Sequence, residues 1–203
     1  MAKPAGSACN LDCAYCFYLS KRVLPGGPGS GHMPDEVLER FVKDYIDSVT
    51  SDEVVFSWQG GEPTLLGLEF FEKVVTLQAK HAKPGQRIEN DLQTNGTLLD
   101  DDWARFLKQQ RFLVGLSIDG PREIHDHCRI TKHAEPTFDQ VFAAAKMLQK
   151  HGVRFNTLTC VHRYNASRPL DVYRFLRREI GSTYIQFIPI VEIKGFEKMA
   201  PGT

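Results

Sequence analysis

The hydrophobic positions along the chain alternate between short runs typical of buried strands and longer stretches with helical spacing. Apolar residues recur at helical spacing from Val37 to Val49, and Glu53–Trp58 is rich in β-branched and aromatic residues. The same alternation predicts further helices at about 68–80, 101–109, 138–151 and 170–178, and further strands at about 87–94, 112–117, 154–161 and 184–191. Alternating strands and helices favour an α/β fold with a parallel sheet, either doubly wound or closed into a barrel.

Three polar motifs stand where predicted strands end. They are Gln59-Gly-Gly-Glu-Pro63, Gln93-Thr-Asn-Gly-Thr97 and Ser117-Ile-Asp-Gly-Pro121. Each one alone is also ordinary turn chemistry. Because ligands bind at the carboxyl ends of parallel strands in both architectures, we expect the three motifs to converge on one rim of the sheet.

Three cysteines near the start of the chain, Cys9, Cys13 and Cys16, have the spacing C-x3-C-x2-C. Three thiolates in a short loop can hold three corners of a [4Fe-4S] cube, which leaves one iron open to a small molecule. A zinc site is the alternative, with His32 as the nearest imidazole. A Gly/Pro-rich segment separates that imidazole from the cysteines, and the paired C-x2-C knuckles of zinc sites are missing, so the spacing favours the cluster.

The composition of the chain limits which classes of protein it can belong to and which binding partners it favours. The 203 residues carry 25 basic and 25 acidic side chains, so net charge predicts neither a nucleic-acid nor a membrane partner. The chain has no apolar run of membrane-spanning length and no signal peptide, and we expect one cytoplasmic domain over residues 1–203. An odd count of five cysteines disfavours a disulfide framework, and Cys128 and Cys160 are interpreted as ordinary semi-buried thiols.

Longer stretches around these motifs resemble a known enzyme family. They are Lys3-Pro4, Cys9-Asn-Leu-Asp-Cys-Ala-Tyr-Cys-Phe-Tyr-Leu19, Phe56-Ser-Trp-Gln-Gly-Gly-Glu-Pro-Thr-Leu65, Gln93-Thr-Asn-Gly-Thr-Leu-Leu99, Val114-Gly-Leu-Ser-Ile-Asp-Gly-Pro121, Thr137-Phe-Asp139, Gly152-Val-Arg-Phe-Asn156 and Gln186-Phe-Ile-Pro189. In these stretches the chain resembles the anaerobic sulfatase-maturating enzymes, a SPASM-containing subgroup of the radical S-adenosylmethionine (radical SAM) enzymes. The resemblance implies a partial (β/α)6 radical SAM barrel with parallel strands. It also implies an oxidoreductase that converts a cysteine or serine of a sulfatase to 3-oxoalanine (formylglycine), through hydrogen abstraction at Cβ by a 5′-deoxyadenosyl radical.

The resemblance implies roles for individual residues. The three cysteines would hold the [4Fe-4S] cluster, and the residues that bind S-adenosylmethionine would be Tyr15, Gly61, Ser117, Arg129 and Val191. The backbone carbonyl of Gly61 would accept from the cofactor's ammonium group, and a guanidinium suits a carboxylate. Tyr18 and Gln59 would face the target peptide. The implied partners are an unfolded or nascent sulfatase polypeptide and an electron donor such as flavodoxin or ferredoxin.

The chain departs from the family pattern at both ends and in one loop. Family members continue into a cysteine-rich region that binds two auxiliary clusters and supplies the catalytic base. We therefore expect a fragment that lacks this region and has no catalytic base within residues 1–203. We also expect the N-terminal edge of the barrel to be missing. Cys128–Ala134 stands where the family has a glycine-bearing loop. The alternatives are another radical SAM peptide-modifying maturase, such as a thioether-forming one, and a noncatalytic cluster-binding remnant.

Overall fold

Five parallel strands form one sheet among residues 1–18 and 32–190, which are the residues that this computed structural model describes. The strands are β1 (Glu53–Trp58), β2 (Arg87–Thr94), β3 (Leu113–Ser117), β4 (Arg154–Val161) and β5 (Ile185–Pro189). They pair in chain order from β1 to β5. A doubly wound sheet reverses its strand order at a switch point. The unreversed order is that of a barrel, and it confirms the predicted α/β fold with a partial barrel.

Seven helices are described between and around the strands. They are α1 (Asp35–Ser48), α2 (Leu68–His81), α3 (Asp101–Gln109), α4 (Arg122–Cys128), α5 (Phe138–Lys150), α6 (Arg163–Ala166) and α7 (Pro169–Arg174), with a 3₁₀ turn at Pro63–Leu66 and a π-helical turn at Phe175–Glu179. The predictions for α1, α2, α3 and α5 are confirmed, and the predicted helix at 170–178 is α7 with its π-helical continuation. The sequence did not indicate α4 and α6, because helices this short do not develop a readable hydrophobic period. None of the described helices is long and apolar enough to cross a lipid bilayer.

The core lies between the sheet and its helices. In β1 every second residue from Val54 to Trp58 is buried, and Trp58 packs edge-on against Phe71 of α2 with ring centroids 5.9 Å apart. The indole N–H of Trp58 donates to Oδ1 of Asn90 at 2.8 Å, and Asn90 exchanges hydrogen bonds with Gln78 at 2.8 and 2.9 Å. These bonds satisfy the polar groups that the core buries.

The cysteine-bearing segment begins beside β1. Ala2 forms a parallel bridge with Trp58, in which the N–H of Ala2 donates to the carbonyl of Ser57 at 2.8 Å. The N–H of Gln59 donates to the carbonyl of Ala2 at 2.9 Å. The start of the described chain therefore continues the sheet next to β1 and leads directly to the carboxyl ends of the strands.

The loop after α4 holds the other side of the cysteine segment. The N–H of Ala14 donates to the carbonyl of Cys128 at 2.9 Å, and the N–H of Asp12 donates to the carbonyl of Ile130 at 2.8 Å. Ala134 in this loop has a φ of 60°, a left-handed conformation that favours glycine. The loop that departs from the family pattern therefore keeps a turn of the kind that glycine suits.

Candidate functional site

A cavity of about 480 Å³ lies at the carboxyl ends of the strands. Its walls include residues from all three polar motifs and from the cysteine segment. Ser117 comes from the end of β3, Cys160 from β4, and Ile188 from β5. The predicted convergence of the three motifs on one rim is therefore confirmed.

Cys9, Cys13 and Cys16 all face this cavity as free thiols. Burial raises the pKa of Cys9 and raises that of Cys13 to about 12, and the neighbouring thiols add to both effects. Both side chains are therefore neutral thiols in the absence of metal. A metal cluster that binds them must displace their protons.

The donor set of the cavity fits an iron-sulfur cluster. Four thiols line the cavity, of which Cys9, Cys13 and Cys16 lie on one short segment and Cys160 comes from β4. The three thiols of the cysteine segment are the soft ligands that such clusters take, and three ligands for four irons leave one iron for another ligand. In the described part of the chain, no three His, Cys, Asp or Glu side chains converge on a position for a single metal ion. Thiols that each bind a different iron need no such convergence. His32, the imidazole considered for zinc, is not among the residues that line the cavity.

The Gly-Gly pair of the first motif packs directly against the cysteine segment. The N–H of Gly61 donates to the carbonyl of Gly6 at 2.9 Å, and the N–H of Glu62 donates to the carbonyl of Ala8 at 2.8 Å. A Cβ on Gly61 would lie 2.0 Å from the oxygen of Ala8. Gly60 has a φ of 127°, which also favours glycine. The close approach of two backbones therefore explains why this turn carries two glycines.

Glu62 joins the first motif to the second through a buried carboxylate. Its side chain is only 1% exposed. Oε1 accepts from the N–H and hydroxyl of Thr64 at 3.1 and 2.7 Å and from the hydroxyl of Thr94 at 2.8 Å, while Oε2 accepts from the N–H of Asn95 at 2.7 Å. Burial raises the pKa of Glu62, and these donors act in the opposite direction. The carboxylate thus fixes the end of β2 relative to the turn after β1.

Asn95 connects the second motif to the first cysteine. Its Nδ2 donates to Oδ1 of Asn10 at 2.9 Å and lies 3.8 Å from Sγ of Cys9. The side chain of Asn10 in turn donates to the hydroxyl of Thr97 at 2.8 Å. The Asn-Gly sequence alone indicates only a turn, and this contact with the cysteine segment is visible only in the fold.

The structure brings most of the predicted site residues together. Besides the three cysteines, those that line the cavity are Tyr15, Tyr18, Gly61, Ser117 and Arg129. Gln59 is not among the lining residues, although the next two residues of its motif are. Val191 lies outside the described residues, while the preceding Ile190 lines the cavity.

Arg129 is held by a partner that the sequence did not single out. Its Nε donates to Oδ2 of Asp119 at 3.0 Å. Burial alone would lower the pKa of Arg129, but the Asp119 carboxylate, together with Tyr15, Cys13 and Cys160, outweighs it and the pKa lies well above its ordinary value. The Asp-Gly-Pro sequence after β3 is typical of a turn, which conceals this ion pair from sequence reasoning.

His125, beside the site in α4, is buried as a neutral imidazole. Its Nδ1 accepts from the N–H of Asp119 at 3.4 Å, and its Nε2 lies 3.1 Å from the hydroxyl oxygen of Thr137. The Thr137 hydroxyl donates to the carbonyl of Arg129, so it can accept from an Nε2–H. Burial, assisted by the charge of Arg129, lowers the pKa of His125 from 6.5 to about 3.

We expect His125 to make the fold sensitive to mild acid. A depressed pKa stabilises the fold fully above about pH 6.5, and this stabilisation is lost at about 1.4 kcal/mol per pH unit as the pH falls toward the folded-state value. Urea unfolding at pH 7 and pH 5.5 measures the change in the free energy of unfolding. His125→Gln should reduce that change, and the exposed His133→Gln is the control. Equal changes in wild type and His125→Gln would contradict the assignment.

A family model and the relatives that this chain matches agree on one family. The model of the Radical SAM superfamily matches residues 4–176. The chain is 47% identical over 192 residues to a serine-type anaerobic sulfatase-maturating enzyme of Bacteroides thetaiotaomicron, and 46% identical over 200 residues to a cysteine-type anaerobic sulfatase-maturating enzyme of Clostridium perfringens. These matches cover 95% and 96% of this chain and 46% and 53% of the relatives. The chain therefore spans about half the length of the curated relatives it matches.

Solved structures agree with this family. Native anSMEcpe with bound AdoMet and Kp18Cys peptide superposes with a TM-score of 0.87 at 45% identity, over 95% of this chain and 52% of that one. Streptococcus suis SuiB bound to precursor peptide SuiA superposes with a TM-score of 0.71 at 16% identity, over 97% of this chain and 40% of that one, which shows the fold alone. Radical SAM enzymes use a [4Fe-4S] cluster and S-adenosylmethionine, and the three thiols of the cysteine segment at the cavity fit the cluster. The chain belongs to the radical SAM superfamily.

Proposed function

We propose that residues 1–203 are the radical SAM core of a sulfatase-maturating enzyme, which oxidises a cysteine or serine of a sulfatase to formylglycine. The observation that carries this proposal is the similarity to a serine-type and a cysteine-type maturating enzyme, at 47% and 46% identity over 95% and 96% of the chain. The cavity supports it, because the three thiols of the cysteine segment, the glycine turn and a buried arginine surround one space of about 480 Å³.

In this proposal the chain binds the cofactors and positions the target. The thiolates of Cys9, Cys13 and Cys16 hold the [4Fe-4S] cluster, and S-adenosylmethionine occupies the adjoining cavity. Once bound, the two cofactors supply the one-electron chemistry that removes a hydrogen from Cβ of the target residue. The carbonyl of Gly61 accepts from the cofactor's ammonium group, and Arg129 offers donors to its carboxylate.

The remaining residues named by the family resemblance have proposed roles around the same cavity. Tyr15 and Ser117 contact S-adenosylmethionine, and both line the cavity. The family resemblance alone assigns the adenine to Val191, which lies outside the described residues. Tyr18 and Gln59 face the target peptide; Tyr18 lines the cavity and packs edge-on against Phe17 with ring centroids 5.5 Å apart. A lining that combines aromatic rings with backbone acceptors suits a peptide segment next to a small cofactor.

We infer that the partners are an unfolded or nascent sulfatase and a one-electron donor such as flavodoxin or ferredoxin. We also place the protein in the cytoplasm. Support for this location comes from the five cysteines, all of which are free thiols, since unpaired thiols persist in a reducing compartment.

The test uses the chain reconstituted anaerobically with iron and sulfide. It is incubated with reductant, S-adenosylmethionine and a peptide that carries Cys-x-Pro-x-Arg, or the same peptide with serine at the target position. We expect more 5′-deoxyadenosine with a target peptide than without one, because hydrogen abstraction from Cβ needs no base within the chain. An aldehyde that a hydrazide reagent traps at the target residue would show in addition that residues 1–203 complete the oxidation. The peptide with alanine at that position is the control. Deoxyadenosine that forms equally with the target and alanine peptides would contradict the proposed substrate, and a thioether in place of the aldehyde would favour a different peptide-modifying maturase.

A further inference from the structure

Asp119 has a carboxylate that three separate segments share. The residue is fully buried, two positions after the end of β3. Oδ2 accepts from the hydroxyl of Tyr15 in the cysteine segment and from Nε of Arg129 at 3.0 Å, and Oδ1 accepts from the N–H of Cys160 in β4 at 3.0 Å. One carboxylate therefore connects the cysteine segment, the residue that follows α4, and the end of β4.

These bonds are not those of an ordinary turn aspartate. In an Asp-Gly-Pro turn the aspartate side chain usually bonds to backbone groups within its own turn. Here the carboxylate oxygens of Asp119 accept from Tyr15, Arg129 and Cys160, which lie 104, 10 and 41 positions away in the sequence. The side chain thus has a role beyond closing the turn in which it lies.

The ion pair lies beside a proposed cluster ligand. The guanidinium of Arg129 is 5.5 Å from the centre of the Tyr15 ring, and its Nη1 is 4.0 Å from Sγ of Cys13. Arg129 is 7% exposed. A buried charge so close to a thiolate acts through a medium of low polarity, so the net charge of the pair matters to any charge on the cluster.

We propose that Asp119 is a positioning residue, which fixes Arg129 and Tyr15 at the wall of the cofactor cavity and balances the positive charge next to Cys13. The proposal rests on the proposed binding of a cluster and S-adenosylmethionine in this cavity. Asp119 itself does not line the cavity and acts through the two residues it holds. With the carboxylate present, the guanidinium keeps one orientation toward the cofactor, and the cluster faces a neutral ion pair instead of an unpaired cation.

Asp119→Asn tests both parts of this role in the reconstituted chain. Loss of the negative charge leaves the Arg129 guanidinium unbalanced, and an unbalanced positive charge favours the reduced cluster. We therefore expect a midpoint potential about 59 mV more positive, which is a tenfold change in the one-electron equilibrium constant. Loss of the fixed orientation should weaken the binding of S-adenosylmethionine about tenfold. The matched control is Asp139→Asn, which breaks the exposed pair with Arg122 and should leave both quantities unchanged.

A second variant covers the case in which Asp119→Asn does not fold. Asp119→Asn combined with Arg129→Gln leaves no unpaired buried charge, and should bring the midpoint potential back toward the wild-type value while S-adenosylmethionine binding remains weak. Wild-type affinity in the double variant, or wild-type potential and affinity in Asp119→Asn, would overturn the proposal. Failure of the wild-type chain to take up a cluster or to bind S-adenosylmethionine would instead contradict the proposed function.

Discussion

Replacement of Gly61 by alanine is expected to abolish uptake of the cluster. The new Cβ would lie 2.0 Å from the oxygen of Ala8 and 2.7 Å from the carbonyl carbon of Ser7, both of which are backbone atoms. Unlike the end of a flexible side chain, these atoms can move only if the whole segment before Cys9 moves. That movement would also break the hydrogen bonds that hold the turn against this segment. We therefore expect loss of bound iron and a fall of about 3 kcal/mol in the free energy of unfolding.

Gly85→Ala is the matched control for this substitution. Gly85, unlike Gly61, has a positive φ, 87°, which favours glycine, but a Cβ there would contact nothing within 4 Å. We expect it to cost about 1–2 kcal/mol from backbone strain alone and to leave the iron content unchanged. Iron per chain after anaerobic reconstitution, together with urea unfolding, measures both effects. A Gly61→Ala chain that binds as much iron as Gly85→Ala would show that the close approach does not position the cysteines.

Replacement of Glu62 by alanine is expected to be the most destabilising change to a side chain of the site. It would leave buried donors of Thr64, Thr94 and Asn95 without an acceptor. Each unsatisfied buried donor costs about 1–3 kcal/mol, so a total near 4 kcal/mol is expected after partial relaxation. The free energy of unfolding of Glu62→Gln should lie between those of wild type and Glu62→Ala, because glutamine keeps one acceptor oxygen but turns an amide donor toward the other donors.

Urea unfolding of the apo chain measures this effect without the cofactors. Glu53→Ala is the control, because Glu53 is an exposed glutamate that pairs with Arg87 on the surface, and surface pairs contribute little. Equal free energies of unfolding for Glu62→Ala and Glu53→Ala would contradict the role of Glu62 in joining the two motifs.

The sequence predicts the scaffold well, because local patterns encode it. Most of the strands are short segments rich in apolar residues and the long helices have a clear period, so all five strands and the four longest helices could be predicted. The strand β2 has the mostly polar sequence Arg-Ile-Glu-Asn-Asp-Leu-Gln-Thr, and its place follows from the alternation of strands with helices. Residues at the carboxyl ends of neighbouring parallel strands must share one rim, which is why the three polar motifs could be expected to meet. The strand order needed the structure, since alternation alone allows both a barrel and a doubly wound sheet.

The buried connections of the site could not be predicted in the same way. The bond between Tyr15 and Asp119 joins positions 104 apart, and that between Glu62 and Asn95 joins positions 33 apart. No local pattern marks an aspartate that a distant arginine will contact. Asp119 and Asn95 each stand next to a glycine, where turn chemistry is a sufficient explanation of the sequence. Their roles follow only from the tertiary structure.

The most direct test of the account is an electron paramagnetic resonance spectrum of the anaerobically reconstituted and reduced chain, recorded before and after S-adenosylmethionine is added. Three thiols that leave one iron open predict a [4Fe-4S] signal that changes when S-adenosylmethionine binds that iron. Alanine at Cys9, Cys13 and Cys16 together should abolish the signal, whereas alanine at Cys128 should preserve it. A chain that takes up no cluster, or a cluster signal that S-adenosylmethionine leaves unchanged, would contradict the assignment of this cavity as a radical SAM site.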